Sequence, residues 1–127
     1  MGSVAQTKIA IQVKALGARP GEWEQLWVDA RILHPKTFAI HRPVEWDGAR
    51  NQFVPKPGTW TLTHIPTGHR VLHGISTIKK AQGIVQDLTN KGINWSFTDI
   101  STVPIELRKR AKEVVQAIKG AYGLPEY

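Results

Sequence analysis

With 127 residues, 41% of them hydrophobic and 21% charged, the chain is long enough to close one hydrophobic core and too apolar to stay disordered. No apolar run approaches the roughly 20 residues of a membrane helix, and the lack of cysteine excludes disulfides and thiolate metal sites while suiting a reducing cytoplasm. The net charge of +7 is spread evenly, with eight Lys/Arg against five Asp/Glu in residues 1–63 and nine against five in residues 64–127; such a domain attracts polyanions, of which nucleic acid is the commonest in a cell.

Residues 7–16 alternate, with Ile9, Ile11 and Val13 on one side and Lys8, Gln12 and Lys14 on the other, the pattern of a half-buried strand. Lys8 and Lys14 also interrupt the one apolar stretch near the N-terminus, so no signal-peptide core is expected. After the break at residues 17–21, residues 22–33 alternate again: Leu26, Val28, Ala30 and Ile32 oppose Trp23, Gln25, Trp27, Asp29 and Arg31. His34, Pro35 and Lys36 turn the chain into a short strand around Phe38 and Ile40. Residues 43–58 are rich in Pro and Gly and show no period, which reads as a long loop, functional or mobile.

Residues 59–74 spell a hairpin, with Pro66-Thr67-Gly68 as a type I turn closed by a glycine bulge. That turn pairs Ile65 with His69, His64 with Arg70, Leu62 with Leu72 and Thr61 with His73, placing His64 on the face opposite His69 and His73. Ser76 or Thr77 then caps a helix with Ile78, Ala81, Ile84, Val85 and Leu88 on its apolar side, ended by Asn90-Lys91-Gly92. Residues 93–97 are either a sixth short strand or a core-edge plug formed by Trp95 and Phe97. Thr102 caps a second helix with Pro104 in its first turn and Leu107, Ala111, Val114, Val115, Ile118 and Tyr122 at helical spacing. Gly120 and Gly123 mark its end. The expected fold is a single α+β domain spanning residues 1–127: an antiparallel sheet of about five strands with two helices on one face, the second helix C-terminal.

Three constellations could carry function. Trp23, Trp27 and Arg31 project together if their strand is regular, and exposed indoles are platforms for bases, whose stacking is worth roughly 1–3 kcal/mol each. They are expected in water, on the sheet face the helices leave bare, while Trp60 and Trp95 read as core. Arg108, Lys109, Arg110 and Lys112 cluster early in the second helix, and Lys79 and Lys80 open the first. Such cations hold phosphates, and cations at a helix start oppose its macrodipole, which weakens a purely stabilising explanation. The histidines at 34, 41, 64, 69 and 73 match no helical zinc spacing. No phosphate loop, dinucleotide fingerprint or nucleophile elbow is present, so neither metal, cofactor nor catalytic residue is expected.

The Trp60-led strand, Thr67-Gly68 turn, return strand and Thr77-capped helix with Ala81 resemble small phage and plasmid proteins over residues 59–90. The order of several antiparallel strands followed by a helix is similar to single-stranded-DNA-binding folds of the Whirly and transcriptional-coactivator type. That likeness is one of architecture, matches no motif and carries over no functional residue; the second helix departs from it.

The function expected from the residues is non-enzymatic binding of single-stranded DNA or RNA. Trp23, Trp27, His69 and His73 would stack or make polar contacts, and Arg31, Arg70, Lys79, Lys80, Arg108, Arg110 and Lys112 would hold phosphates. The alternative is a phage- or plasmid-encoded module that binds a host protein and inhibits its nucleic-acid machinery. A related variant is a homodimer formed through an exposed sheet edge. Histidines acting with Glu45 or Asp47 in a small hydrolase or nuclease form a third class.

Overall fold

The computed structural model describes residues 5–13, 23–33 and 36–125. The break at 17–21, His34 and Pro35 lie outside the described residues. In chain order the strands are β1 (Ala5–Val13), β2 (Glu24–Ile32), β3 (Phe38–His41), β4 (Val44–Asp47), β5 (Gln52–Pro55), β6 (Trp60–His64) and β7 (His69–Ile75), followed by helices α1 (Ile78–Thr89) and α2 (Ile105–Ala121). The main sheet is antiparallel in the order β1-β2-β3-β6-β7, and β4-β5 form a separate two-stranded sheet. The fold is α+β, with its last helix C-terminal.

Alternation along the strands divides the apolar residues between two faces. On one, Ile9, Ile11, Ala30 and Ala39 form a small cluster joined by Leu26, Val28 and Val44. On the other, Phe38, Ile40, Leu62, Leu72 and Ile75 meet Ala81, Ile84, Val85 and Leu88 of α1, all at most 1% exposed. Full burial of each of these side chains except the small Ala81 stabilises by about 1.5–3 kcal/mol. The spacing 81, 84, 85, 88 places these residues on one helical stripe, and Thr77 starts the helix by accepting the Lys80 N–H.

The second helix starts later and differently from the sequence expectation. Pro104 is its N-cap, without a side-chain cap bond. Thr102 belongs instead to a short 3-10 turn capped by Asp99, whose side chain accepts the Ser101 N–H. Among its apolar residues Ile118 is buried, while Leu107, Ala111, Val114 and Val115 are half-buried, so α2 rests on the core rim. Tyr122 ties it to α1 by donating to Asp87 Oδ2 at 2.8 Å.

Residues 43–58 form a hairpin rather than a periodless loop. Trp46 pairs with Phe53 across β4-β5, with ring centroids 5.1 Å apart edge to face. Asp47 closes the turn by accepting the Ala49 and Arg50 N–H groups. Residues 93–97 take no strand; Trp95 is buried and donates its indole N–H to the Leu88 carbonyl, so the plug, not the sixth strand, is what forms.

The β6–β7 register also departs from expectation at its ends. Leu62 faces Leu72 as expected, but His64 pairs with His69, Thr63 with Arg70 and Trp60 with Ile75. The cause is a four-residue turn in which the Gly68 N–H donates to the His64 carbonyl, while Ile65 donates its N–H to Thr37 of the neighbouring connection. β7 recovers the register with one additional residue between Arg70 and Leu72 and another between Leu72 and Ile75. Gly74, at φ +74°, supplies the left-handed backbone of the second bulge.

The sheet curls so that its two outer strands approach: the Gln12 N–H of β1 donates to the Gly68 carbonyl at 2.9 Å. Gly68 has φ +72°, and a Cβ there would stand 3.0 Å from the Ala10 carbonyl oxygen. Both facts demand glycine. Gly68→Ala should therefore lower unfolding free energy by about 2 kcal/mol, measured by urea denaturation; an unchanged midpoint would mean the two edges are not held together here.

Candidate nucleic-acid interface

The β6–β7 turn is fixed by a buried histidine. His64, 3% exposed, donates Nε2–H to the Trp95 carbonyl, which can only accept, so Nδ1 is left to accept the Thr67 hydroxyl at 2.9 Å. Phe97 stacks on the same ring at a centroid distance of 4.6 Å. One side chain thus anchors the turn, strand β6 and the 93–97 segment together. His41, equally buried, donates Nδ1–H to the Arg42 carbonyl and accepts the Thr63 hydroxyl, both at 2.8 Å. Burial holds the pKa of both imidazoles below the usual 6.5, and the carbonyl bonds offset this only in part.

Beside this anchor runs a groove of about 270 Å³ between the turn, the 93–97 segment and the first half of α2. Val71, Phe97, Leu107 and Ala111 form apolar walls, and His69, Arg70, Arg108 and Lys112 also line it. Arg108 is held there by donating Nε–H to the Val103 carbonyl at 3.0 Å. An apolar trough beside three permanent cations accommodates a flat apolar body joined to an anion.

The structure therefore unites four of the sequence candidates, His69, Arg70, Arg108 and Lys112, in one place. Trp23 joins them at the edge: its ring meets that of His69 edge to face at 5.0 Å, and it is 48% exposed. Trp27 is 62% exposed but does not share that location. Arg31 pairs with Ile40 of the main core, so by alternation Trp27 and Arg31 stand on the helix-bearing face. The helices pack mainly on β3, β6 and β7, which leaves Trp27 in water despite its face. This corrects the expectation for Trp27 alone; Trp23 lines a recess on the Ile11 and Val44 side of the sheet, away from the helices. Trp23 escapes the alternation because it precedes the first paired residue, Glu24.

The remaining candidates are dispersed. Arg31 lies over Trp60 with its guanidinium carbon 5.5 Å from the ring centroid, and Arg42, which sequence reasoning passed over, sits closer at 3.8 Å. Lys79 and Lys80 are exposed in the first turn of α1. Arg110 donates to the Lys91 carbonyl at 2.7 Å, binding α2 to the end of α1. His73 is half-buried, its Nε2 lacks a hydrogen-bond partner among the described residues, and burial, then the charges of Arg70 and Lys119, lower its pKa. His64 and His69 are paired rather than on opposite faces, yet no described group of three His, Asp or Glu side chains could hold a metal.

Phe97, Leu107 and Ala111 were legible only as core or rim residues, because nothing local says which half of an amphipathic stripe remains uncovered. Comparison with family models, curated proteins and solved structures gives no match.

The buried neutral histidines make stability pH-dependent. Their folded pKa lies below the unfolded value of 6.5, so the unfolded chain binds more protons as pH falls, and stability present above 6.5 is lost below it. The thermal midpoint should fall between pH 7.5 and 5, and the fall should shrink in His64→Gln; equal slopes in both proteins would remove His64 from this account.

Proposed function

We propose that this domain binds single-stranded nucleic acid, without chemistry on it, along the groove between the β6–β7 turn and α2. The observation that carries the reading is the apolar trough walled by Phe97, Leu107 and Ala111 with Arg70, Arg108 and Lys112 on its lining. Bases are flat and apolar on their faces, phosphates are charged, and single strands present both at once. The Trp23–His69 pair extends the stacking surface beyond the groove. A duplex hides its base faces and would leave the trough unused. The cations contact backbone oxygen, so affinity is expected to depend on salt and little on sequence. Both single-stranded DNA and RNA fit this chemistry.

Arg31 and Arg110 have no place in this reading, because neither lines the groove; Arg31 lies over Trp60 and Arg110 is bonded to the Lys91 carbonyl. Lys79 and Lys80 contribute to the long-range field only.

Filter binding of short oligonucleotides over a range of salt tests the proposal. The double variant Arg108→Ala/Lys112→Ala should weaken binding and reduce the salt slope by about 0.7 for each phosphate that the protein no longer neutralises. Replacing Lys79 and Lys80 should leave that slope nearly unchanged. Absence of binding at low salt, or affinity indifferent to salt, would end the nucleic-acid reading.

A further inference from the structure

A second recess, of about 420 Å³, opens on the other side of the β6–β7 turn, between the curled sheet and the β4-β5 hairpin. His69 and Arg70 line both recesses. Its sheet wall is polar: Thr61 and Thr63 alternate along β6, and His41 lies opposite Thr61 on β3. Trp23 and Phe53 bring aromatic rings to it, and Val44 adds an aliphatic surface.

The polar wall is preorganised and incompletely used. His41 gives its Nδ1–H to the Arg42 carbonyl and takes the Thr63 hydroxyl proton at Nε2, so the Thr63 oxygen keeps acceptor capacity toward the recess. Thr61 is 4% exposed and lines the recess, yet its hydroxyl makes no hydrogen bond among the described residues. It is not among the buried side-chain atoms that lack a partner, so it stands open to the recess, where a ligand can both donate to it and accept from it.

We infer that this recess is a binding site for a nucleobase carrying a phosphate, with the ring against Trp23 and Phe53, its polar edge on Thr61 and Thr63, and the phosphate on Arg70. A hydroxyl both donates and accepts, as a base edge requires, and Arg70 offers a planar fork suited to phosphate oxygens. The choice of ligand class rests on the nucleic-acid reading of the groove; the geometry of the recess does not depend on it. The nucleotide has two sources, a free mononucleotide or one residue of a bound strand reaching around Arg70.

Calorimetric titration of the intact protein separates them. One arm uses the nucleoside 5′-monophosphates; the other uses a hexanucleotide and the same hexanucleotide with abasic sites. Thr61→Val is isosteric and removes only the hydroxyl, and Thr61→Ser restores it; both are checked for an unchanged thermal midpoint. Mononucleotide binding weakened about fivefold in Thr61→Val and recovered in Thr61→Ser identifies a free nucleotide. Hexanucleotide binding that falls with Thr61→Val and with abasic sites, without mononucleotide binding, identifies a strand residue. If neither arm responds to Thr61→Val, the recess is not a nucleotide site. Hexanucleotide binding that still responds to Arg108→Ala/Lys112→Ala would then leave the groove reading standing, whereas Thr61-dependent mononucleotide binding without hexanucleotide binding would remove the groove and keep the recess.

Discussion

The approach of β1 to the β6–β7 turn is the constraint from which the rest of the molecule follows. A flat five-stranded sheet would leave β1 and β7 far apart as opposite edges; here the Gln12 N–H reaches the Gly68 carbonyl, and the absent side chain at Gly68 permits it. Curling turns one face into a recess and pushes the turn outward as a ridge. His69 and Arg70, the first residues of β7, sit on that ridge and line the spaces on both sides. One short segment can thus serve two adjoining sites, which a regular sheet would place on opposite sides of a wall.

The ridge is held by buried polar groups rather than by apolar packing alone. His64 joins the turn, through Thr67, to the 93–97 segment, through the Trp95 carbonyl. Every polar atom of that imidazole is satisfied, so its burial costs less than its polarity suggests. The same bonds decide the tautomer. Burial is what disfavours a proton on this ring and holds it in the neutral form; the Thr67 hydroxyl can also turn its proton to the His64 carbonyl. Because Phe97 stacks on His64 and also walls the groove, the shape of the groove depends on this anchor.

Much of the fold was legible in the sequence because local rules agreed with the tertiary outcome. The 81, 84, 85, 88 stripe, Thr77 at its cap, and the alternations in β1 and β2 each state the buried side without ambiguity. The hairpin ends were not legible: Pro66-Thr67-Gly68 is compatible with several turn lengths, and the choice fell to the Ile65–Thr37 bond, made by a distant segment. The β4-β5 hairpin was hidden because four-residue strands are too short to display a period, although Asp47-Gly48 announced its turn. For the site, composition pointed to cations and aromatics but not to their grouping. Alternation joined Trp23 to Trp27 on paper; in space Trp23 lies outside the paired register and turns to His69. Arg110 and Arg31 looked equivalent to Arg108 in the sequence, and only their place away from the groove lining sets them apart.

The central claim is that ligand binding is organised around the β6–β7 ridge. Amide chemical shifts during titration with a short single-stranded oligonucleotide test it most directly. The account predicts the largest changes at residues 68–71 and 107–112, on the two sides of the groove. Changes confined to residues 27–31, or to Lys79 and Lys80 at the start of α1, would contradict it.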